Sequence, residues 1–259
     1  MKVHAYVMAW REAETIALTI KHYQQFCDKV ILLDNFSDDN TREIAEQMGA
    51  EVRLFGIKGV LDDREYTKIK NNVWKESDAD WVIVVDADEI LWDGEPDINS
   101  YLINFLLFDA KEKGYTIIKP QGWQVVSRDM PKENWLEITN GFAYDQYSKL
   151  CCFRPKEIQE INYVHGCHVA NPKGKVNILE TGVLFHYRNV GGPERLVKRH
   201  ALYRERMSEW NKRWNAGGHY LYEDQQRRKE WEEQFNGSRP FASLGTGLSL
   251  PDTQSPKND

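Results

Sequence analysis

The stretch Trp81-Val82-Ile83-Val84-Val85-Asp86-Ala87-Asp88-Glu89-Ile90-Leu91 constrains this chain more than any other. Its apolar run is short, β-branched and not alternating, as expected of a strand covered on both faces in a parallel sheet. Such an interior does not keep unpaired carboxylates. The strand is therefore expected to end near Val85, with Asp86 and Asp88 at its carboxyl end. Ligands of open α/β sheets bind at that edge. Two carboxylates one residue apart suit a hard divalent cation that also holds phosphate oxygens. A solvated acidic turn is the plainer reading of the same residues.

The segments upstream extend the pattern. Apolar runs at 3–9, 29–34 and 51–55 read as strands. A helix is expected to start near Glu12, a second over 41–48 with Gly49 as its stop, and a third over 62–77 with Tyr66, Ile69, Val73 and Trp74 on one stripe. Alternating strands and helices define an α/β fold, a mostly parallel central sheet flanked by helices. Three features converge on its carboxyl edge: the loop Ala9 to Glu12, Asp34, and Asp86 with Asp88. Neither a glycine-rich fingerprint nor a Walker loop follows the first strand. A nucleotide at this edge would need its phosphates held another way, and a metal on the acids would do so.

Further on, a turn over 91–97 precedes a helix over 98–113, and strands are expected at 115–120, 123–127, 147–155, 175–180 and 183–188. Residues 128–141 are polar, without a clear period, and read as a substrate lid. His186 follows three apolar residues at a strand end, as the acidic motif does; it reads as a metal ligand or as a hydrogen-bonded core histidine. From Pro193 to Phe235 the chain is charged and helical, with Leu196, His200, Tyr203 and Met207 on one stripe and its arginines on a solvated face. Residues 237–259, rich in Ser, Pro, Gly and Asp, read as a disordered tail. The expected organisation is a domain over 1–192, with a nucleotide-binding part at 1–92 and an acceptor-binding part at 93–192, followed by a helical extension over 193–236.

The net charge of −6 argues against a nucleic-acid partner, which would select a basic surface. No transmembrane segment is expected, because the longest apolar run, near 101–108, is broken by Asn104 and closed by Asp109. The amino terminus lacks a signal-peptide core. Cys27, Cys151, Cys152 and Cys167 show neither a disulfide framework nor zinc spacing. The expectation is a cytoplasmic protein, with peripheral contact to an anionic membrane surface through its arginines as a further option.

The ordered set Arg11-Glu12, Asp34-Asn35-Phe36-Ser37-Asp38-Asp39-Asn40-Thr41 and Asp86-Ala87-Asp88 resembles the amino-terminal half of family 2-like glycosyltransferases with the GT-A fold and its Asp-X-Asp metal motif. The resemblance covers roughly the first third of the chain strongly and the remainder weakly. It implies transfer of a sugar from a UDP-, GDP- or dTDP-linked donor to a hydroxyl of a glycan, a lipid-linked or a protein acceptor, in glycan or polysaccharide synthesis. The metal would be Mn2+ or Mg2+, held by Asp88 with Asp86 and a late histidine, His186. Ala9, Arg11, Glu12, Asp34, Asp86 and Ala87 would line the nucleotide-sugar pocket, with Arg64 and Lys70 reaching the diphosphate or base. Inverting members carry a carboxylate base after the metal site. No clean counterpart is present, and Asp145, Glu160 and His165 are the candidates.

Other classes compete. A sugar nucleotidyltransferase would want a glycine-rich basic loop at Ala9-Trp10-Arg11-Glu12. An idle nucleotide- or glycan-binding module would not need the intact acidic motif. A metal-dependent phosphohydrolase would need further ligands on several strands.

Overall fold

A computed structural model describes residues 1–93 and 102–241. The first part runs β1 (Val3–Ala9), α1 (Ile16–Gln24), β2 (Lys29–Asp34), α2 (Thr41–Gln47), β3 (Glu51–Leu54), α3 (Asp63–Asn72) and β4 (Trp81–Asp86). The second part runs β5 (Glu89–Trp92), α4 (Leu102–Glu112), β6 (Ile117–Ser127), β7 (Gly141–Ala143), β8 (Cys152–Phe153), β9 (Ile158–Glu160), β10 (Lys173–Gly174) and β11 (Ile178–Val190). Helices α5 (Gly192–Arg206), α6 (Glu209–Trp214) and α7 (Asp224–Gly237) follow.

Among the described residues the main sheet has the order β3-β2-β1-β4-β8-β6-β11-β5, with β7 on β6. Strands β1 to β4 pair in parallel, as do β6 and β11, whereas β8 is antiparallel to both β4 and β6. Strands β1, β2, β3, β4, β6 and β11 therefore all run one way. The expected mostly parallel α/β class holds.

Strand β4 explains the unbroken apolar run. Trp81, Ile83 and Val85 pack on one face with Ile16, Ile20 and Tyr23 of α1. Val82 and Val84 pack on the other face with Trp74, and Ile69 of α3 lies against that cluster. Both faces are covered by helices, so alternation has no solvent side to report. Each fully buried side chain of this size contributes roughly 1.5–3 kcal/mol.

Several boundaries differ from the sequence reading, for identifiable reasons. Helix α1 begins at Ile16 because Arg11 is left-handed (φ 53°) and the Glu12 carbonyl accepts the Thr15 and Ile16 amides. The two strands expected over 115–127 are one strand through Pro120. It pairs with β8 only at 117–118 and with β7 only at 123–125, so on that side no partner needs the missing N–H. The strands expected at 175–180 and 183–188 likewise form one strand, β11, that carries bulges. The turn expected from Leu91 is the end of β5, and of the helix expected over 98–113 only the part from Leu102 lies within the described residues.

The segment expected as a lid, 128–141, is instead tied to the core through Met130, Trp135, Leu136 and Ile138. Trp135 is buried, donates from Nε1 to Thr19 Oγ1 at 3.0 Å, and lies 4.5 Å from the Tyr187 ring. The start of the expected tail is anchored too: Phe241 packs on Trp92, Trp123 and Phe185, while 242–259 lie outside the described residues. Among the described residues no helix is long and apolar enough to cross a membrane. All four cysteines are free and buried.

Candidate active site

A cavity of about 630 Å3 opens at the carboxyl ends of β1 and β4 and is walled on its far side by α6 and the turn after it. Its floor is the acidic turn. The chain reverses after Asp86, and β5 pairs antiparallel with β11, placing His186 opposite Glu89. The Tyr187 amide donates to the Asp88 carbonyl at 2.8 Å. The strand ladder thus sets the His186 ring beside the Asp88 carboxylate, with Nε2 3.9 Å from Oδ1.

The orientation of that imidazole is fixed. The Gln124 amide donates to the Val125 and His186 carbonyls, at 2.7 and 3.0 Å, which leaves Oε1 to accept from His186 Nδ1 at 2.8 Å. The Nδ1–H tautomer follows, with the Nε2 lone pair directed towards Asp88. The Tyr147 ring stacks on the imidazole at 4.0 Å and 22°. Burial holds the imidazole neutral, down to about 3. On Asp88, Oδ2 accepts from Arg188 Nε at 3.4 Å. Burial opposes its ionisation, but the positive charge of Arg188, with Arg199 and Lys149 farther off, holds the carboxyl well below the usual range.

Asp86 is committed differently. Lys70 Nζ lies 2.7 Å from one oxygen and Lys149 Nζ 3.6 Å from the other. Against the cost of burial, these lysines hold its carboxyl at about 2. Glu89, fully buried, pairs with Lys149 through Oε1 and accepts the Asp86 amide on Oε2 at 3.0 Å. Asp88 and Glu89 are thus kept inside by Arg188 and Lys149, while Asp86 stays partly exposed between its two lysines, in line with the rule that buried charge is paired.

A buried carboxylate and an imidazole whose second nitrogen is tied down by an amide form a donor pair that fits a divalent cation. Among the described residues no group of three or more His, Cys, Asp or Glu gathers as a complete cage. Further oxygens would come from a bound phosphate or from water, as is usual for hard cations.

The cavity brings together some of the expected residues. Ala9, Glu12, Lys70, Asp86, Ala87, Asp88, His165 and His186 line it. Glu12 is clasped by Arg199 of α5, at 2.8 and 2.5 Å. The others stand apart. Arg11 turns away through its left-handed backbone and pairs with Asp38. Asp34 is fully buried, its two oxygens taken by the Ser37 amide (2.8 Å) and hydroxyl (2.5 Å). Arg64 is exposed and bonded to Asp62 at 2.9 and 2.6 Å. Asp145 is exposed on a short 3-10 turn, and Glu160 is held by Lys75 at 2.8 Å through both oxygens.

Sequence reasoning missed Lys149, Arg188, Tyr147, Gln124 and Asp63. Arg188 had a signal: two residues beyond His186 on a strand, it shares that residue's face. Asp63 also lines the cavity; its Oδ1 accepts from Asn211 at 2.9 Å, and burial raises its carboxyl. The arginines assigned to a solvated face of α5 are partly internal: Arg199 holds Glu12, and Arg206 is buried over the Trp10 ring at 3.8 Å.

Residues 5–95, which run from within β1 through β5 and include the whole acidic turn, match the family model described as "Glycosyl transferase family 2". An uncharacterized glycosyltransferase of Rickettsia felis is 32% identical over 90 residues, which is 35% of this chain and 30% of that protein. The chain therefore matches less than a third of that relative's length. Among solved structures, glucosyl-3-phosphoglycerate synthase from Mycobacterium tuberculosis, in complex with Mn2+, UDP and glucosyl-3-phosphoglycerate, is 20% identical, covering 47% of this chain and 44% of that one, with a TM-score of 0.33. TarS of S. aureus is 14% identical over 78% of this chain and 39% of its own, with a TM-score of 0.48. The amino-terminal third of the chain is thus similar to family 2 glycosyltransferases.

Proposed function

We propose that the chain is a metal-dependent glycosyltransferase that moves a sugar from a nucleoside-diphosphate donor to an acceptor hydroxyl. The observation that carries this reading is the Asp88–His186 pair, 3.9 Å apart, on the floor of the 630 Å3 cavity within or beside the family 2-like segment. Asp88 and His186 hold Mn2+ or Mg2+ in this reading, and the ion supplies charge neutralisation for the leaving diphosphate. Asp86 positions Lys70 and Lys149 at the same floor. Arg188, anchored by the Tyr220 hydroxyl at 2.8 Å, adds a cation facing the cavity. Preorganised cations of this kind stabilise charge that grows on the leaving group without reorganising as it does so.

Trp10 and Tyr66 give the donor end two aromatic walls. Of the three base candidates, His165 is the one on the cavity, with Nδ1 3.3 Å from Thr67 Oγ1. A histidine there takes the acceptor proton, since an alcohol is a poor nucleophile at neutral pH. Direct attack by that hydroxyl would invert the anomeric centre. Mycobacterium tuberculosis glucosyl-3-phosphoglycerate synthase was crystallised with Mn2+ and UDP, which makes UDP the first nucleotide to try.

Calorimetric titration of UDP, GDP and dTDP, with and without Mn2+, into the wild type and Asp88→Ala tests the reading. One nucleotide should bind only with metal, and the variant should lose it. A folded wild type that binds none of the three, with or without metal, would end the donor-site assignment.

A further inference from the structure

The cavity has a second end that the donor reading leaves unused. Trp210 and Trp214, four residues apart on α6, both line it. Trp210 is pinned, with the His165 ring at 4.7 Å and the Arg64 guanidinium 5.1 Å over its face. Trp214 is left open, 64% exposed although it borders the cavity. The helix that presents them is held firmly. Asn211, fully buried, donates to Asp63 Oδ1 at 2.9 Å and accepts the Asp63 amide at 3.0 Å, while Ser208 caps the helix through the Asn211 amide.

We propose that this end is the acceptor subsite and that it seats a pyranose ring on the Trp214 indole. The inference rests on the donor-site reading above. A pyranose has one face of C–H groups and a rim of hydroxyls. It therefore needs one flat apolar plate ringed by donors and acceptors, the amphipathic pairing that an exposed indole offers. Polar groups of that kind line the same cavity: Asp63, Gln146, His165, His168 and Asn215. An acyl or polyprenyl chain would instead select a continuous apolar wall, and these residues do not make one. After Trp214 the chain turns through two left-handed residues, Asn215 (φ 52°) and Gly217 (φ 69°), which carries Asn215 and His219 back to the cavity. His165, between Trp210 and Thr67, lies where a hydroxyl of the seated ring would meet a proton acceptor.

The first arm of the test needs no knowledge of the donor. Saturation-transfer NMR is recorded on the full chain with the methyl α- and β-pyranosides of glucose, galactose and mannose. Ring C–H protons of at least one should receive saturation from the wild type, lose it with Trp214→Ala and largely keep it with Trp214→Phe. Calorimetric affinity for the preferred nucleoside diphosphate should stay the same in both variants. In the transfer assay, Trp214→Ala should raise the KM for the pyranoside about tenfold with little change in the KM for donor. Three results would overturn the proposal: no saturation of any pyranoside, loss of nucleotide affinity in Trp214→Ala (the indole then stacks on the base), or stimulation of donor turnover by a polyprenyl phosphate in vesicles and by no pyranoside. A wild type that binds pyranoside but no nucleotide would remove the donor reading alone.

Discussion

Asp88 and His186, 98 positions apart in sequence, are brought within 3.9 Å by one backbone hydrogen bond and one strand register. The Tyr187 amide bonds the Asp88 carbonyl, and His186 stands across from Glu89. No loop has to close to form the pair. A site built on strands in this way keeps its geometry better than one built on loops.

Gln124 should matter as much as a direct ligand would suggest, although it binds no ion itself. Gln124→Leu removes the acceptor that fixes the Nδ1–H tautomer of His186. Affinity for Mn2+ in the presence of nucleotide is expected to fall about 10–100-fold, with the fold retained. Calorimetry on the variant measures it; an unchanged affinity would show that the ring needs no orienting partner.

Lys149→Met should be costly for a different reason. It strands the fully buried Glu89 and weakens the pairing of Asp86. Removing one partner of a buried ion pair costs about 3–5 kcal/mol, readable as a lower urea midpoint. Adding Glu89→Gln removes the stranded charge and should recover much of the loss. A double variant no more stable than the single one would place the cost in packing.

Acid should destabilise the metal-free protein well above the carboxylate range. Burial holds His22, His186 and His200 at about 4, 3 and 2 in the folded state, against an unfolded value near 6.5. Below about pH 6.5 the unfolded chain therefore binds more protons, and stability falls as pH drops towards 4. Asp86, held at about 2, adds a loss of the same sign below about pH 4. Glu89, raised by burial, works in the opposite direction and is outnumbered. The melting midpoint should decline steadily from pH 6.5 to 4.5; a flat profile would mean that these imidazoles are charged in the fold.

Trp135→Ala tests the assignment of residues 128–141 to the core. A void of that size costs about 3–5 kcal/mol, and the indole bond to Thr19 goes with it. No residue of the segment lines the cavity, so the kinetic constants of the remaining folded protein should hold. A selective rise in KM at normal stability would restore the lid.

The sequence made the floor of the site readable and left its electrostatics hidden. A buried strand running into Asp86 and Asp88 is a local signal, since apolar covering and acidic turn are contiguous. His186 repeats it. Lys149 offers no such signal: nothing in Ser148-Lys149-Leu150-Cys151 says that the ammonium will be enclosed, and its partner Glu89 is 60 positions away. The α5 arginines were misjudged for a related cause. Helical period tells which positions share a face, but the face that is buried depends on what packs there. On α5 the buried side includes Arg206 and largely covers Arg199, because Asn35 and Glu12 wait opposite.

The Glu12–Arg199 clasp spans 187 positions, and this separation sets a schedule for biogenesis. On the ribosome Glu12 emerges 187 residues ahead of its cation. Until then the loop after β1 carries an acid without its guanidinium, and that wall of the cavity stays unsettled. Long-range closures of this kind are slow and leave surface open while they wait. The loop around Glu12 accordingly finds its partner only once α5 has been made.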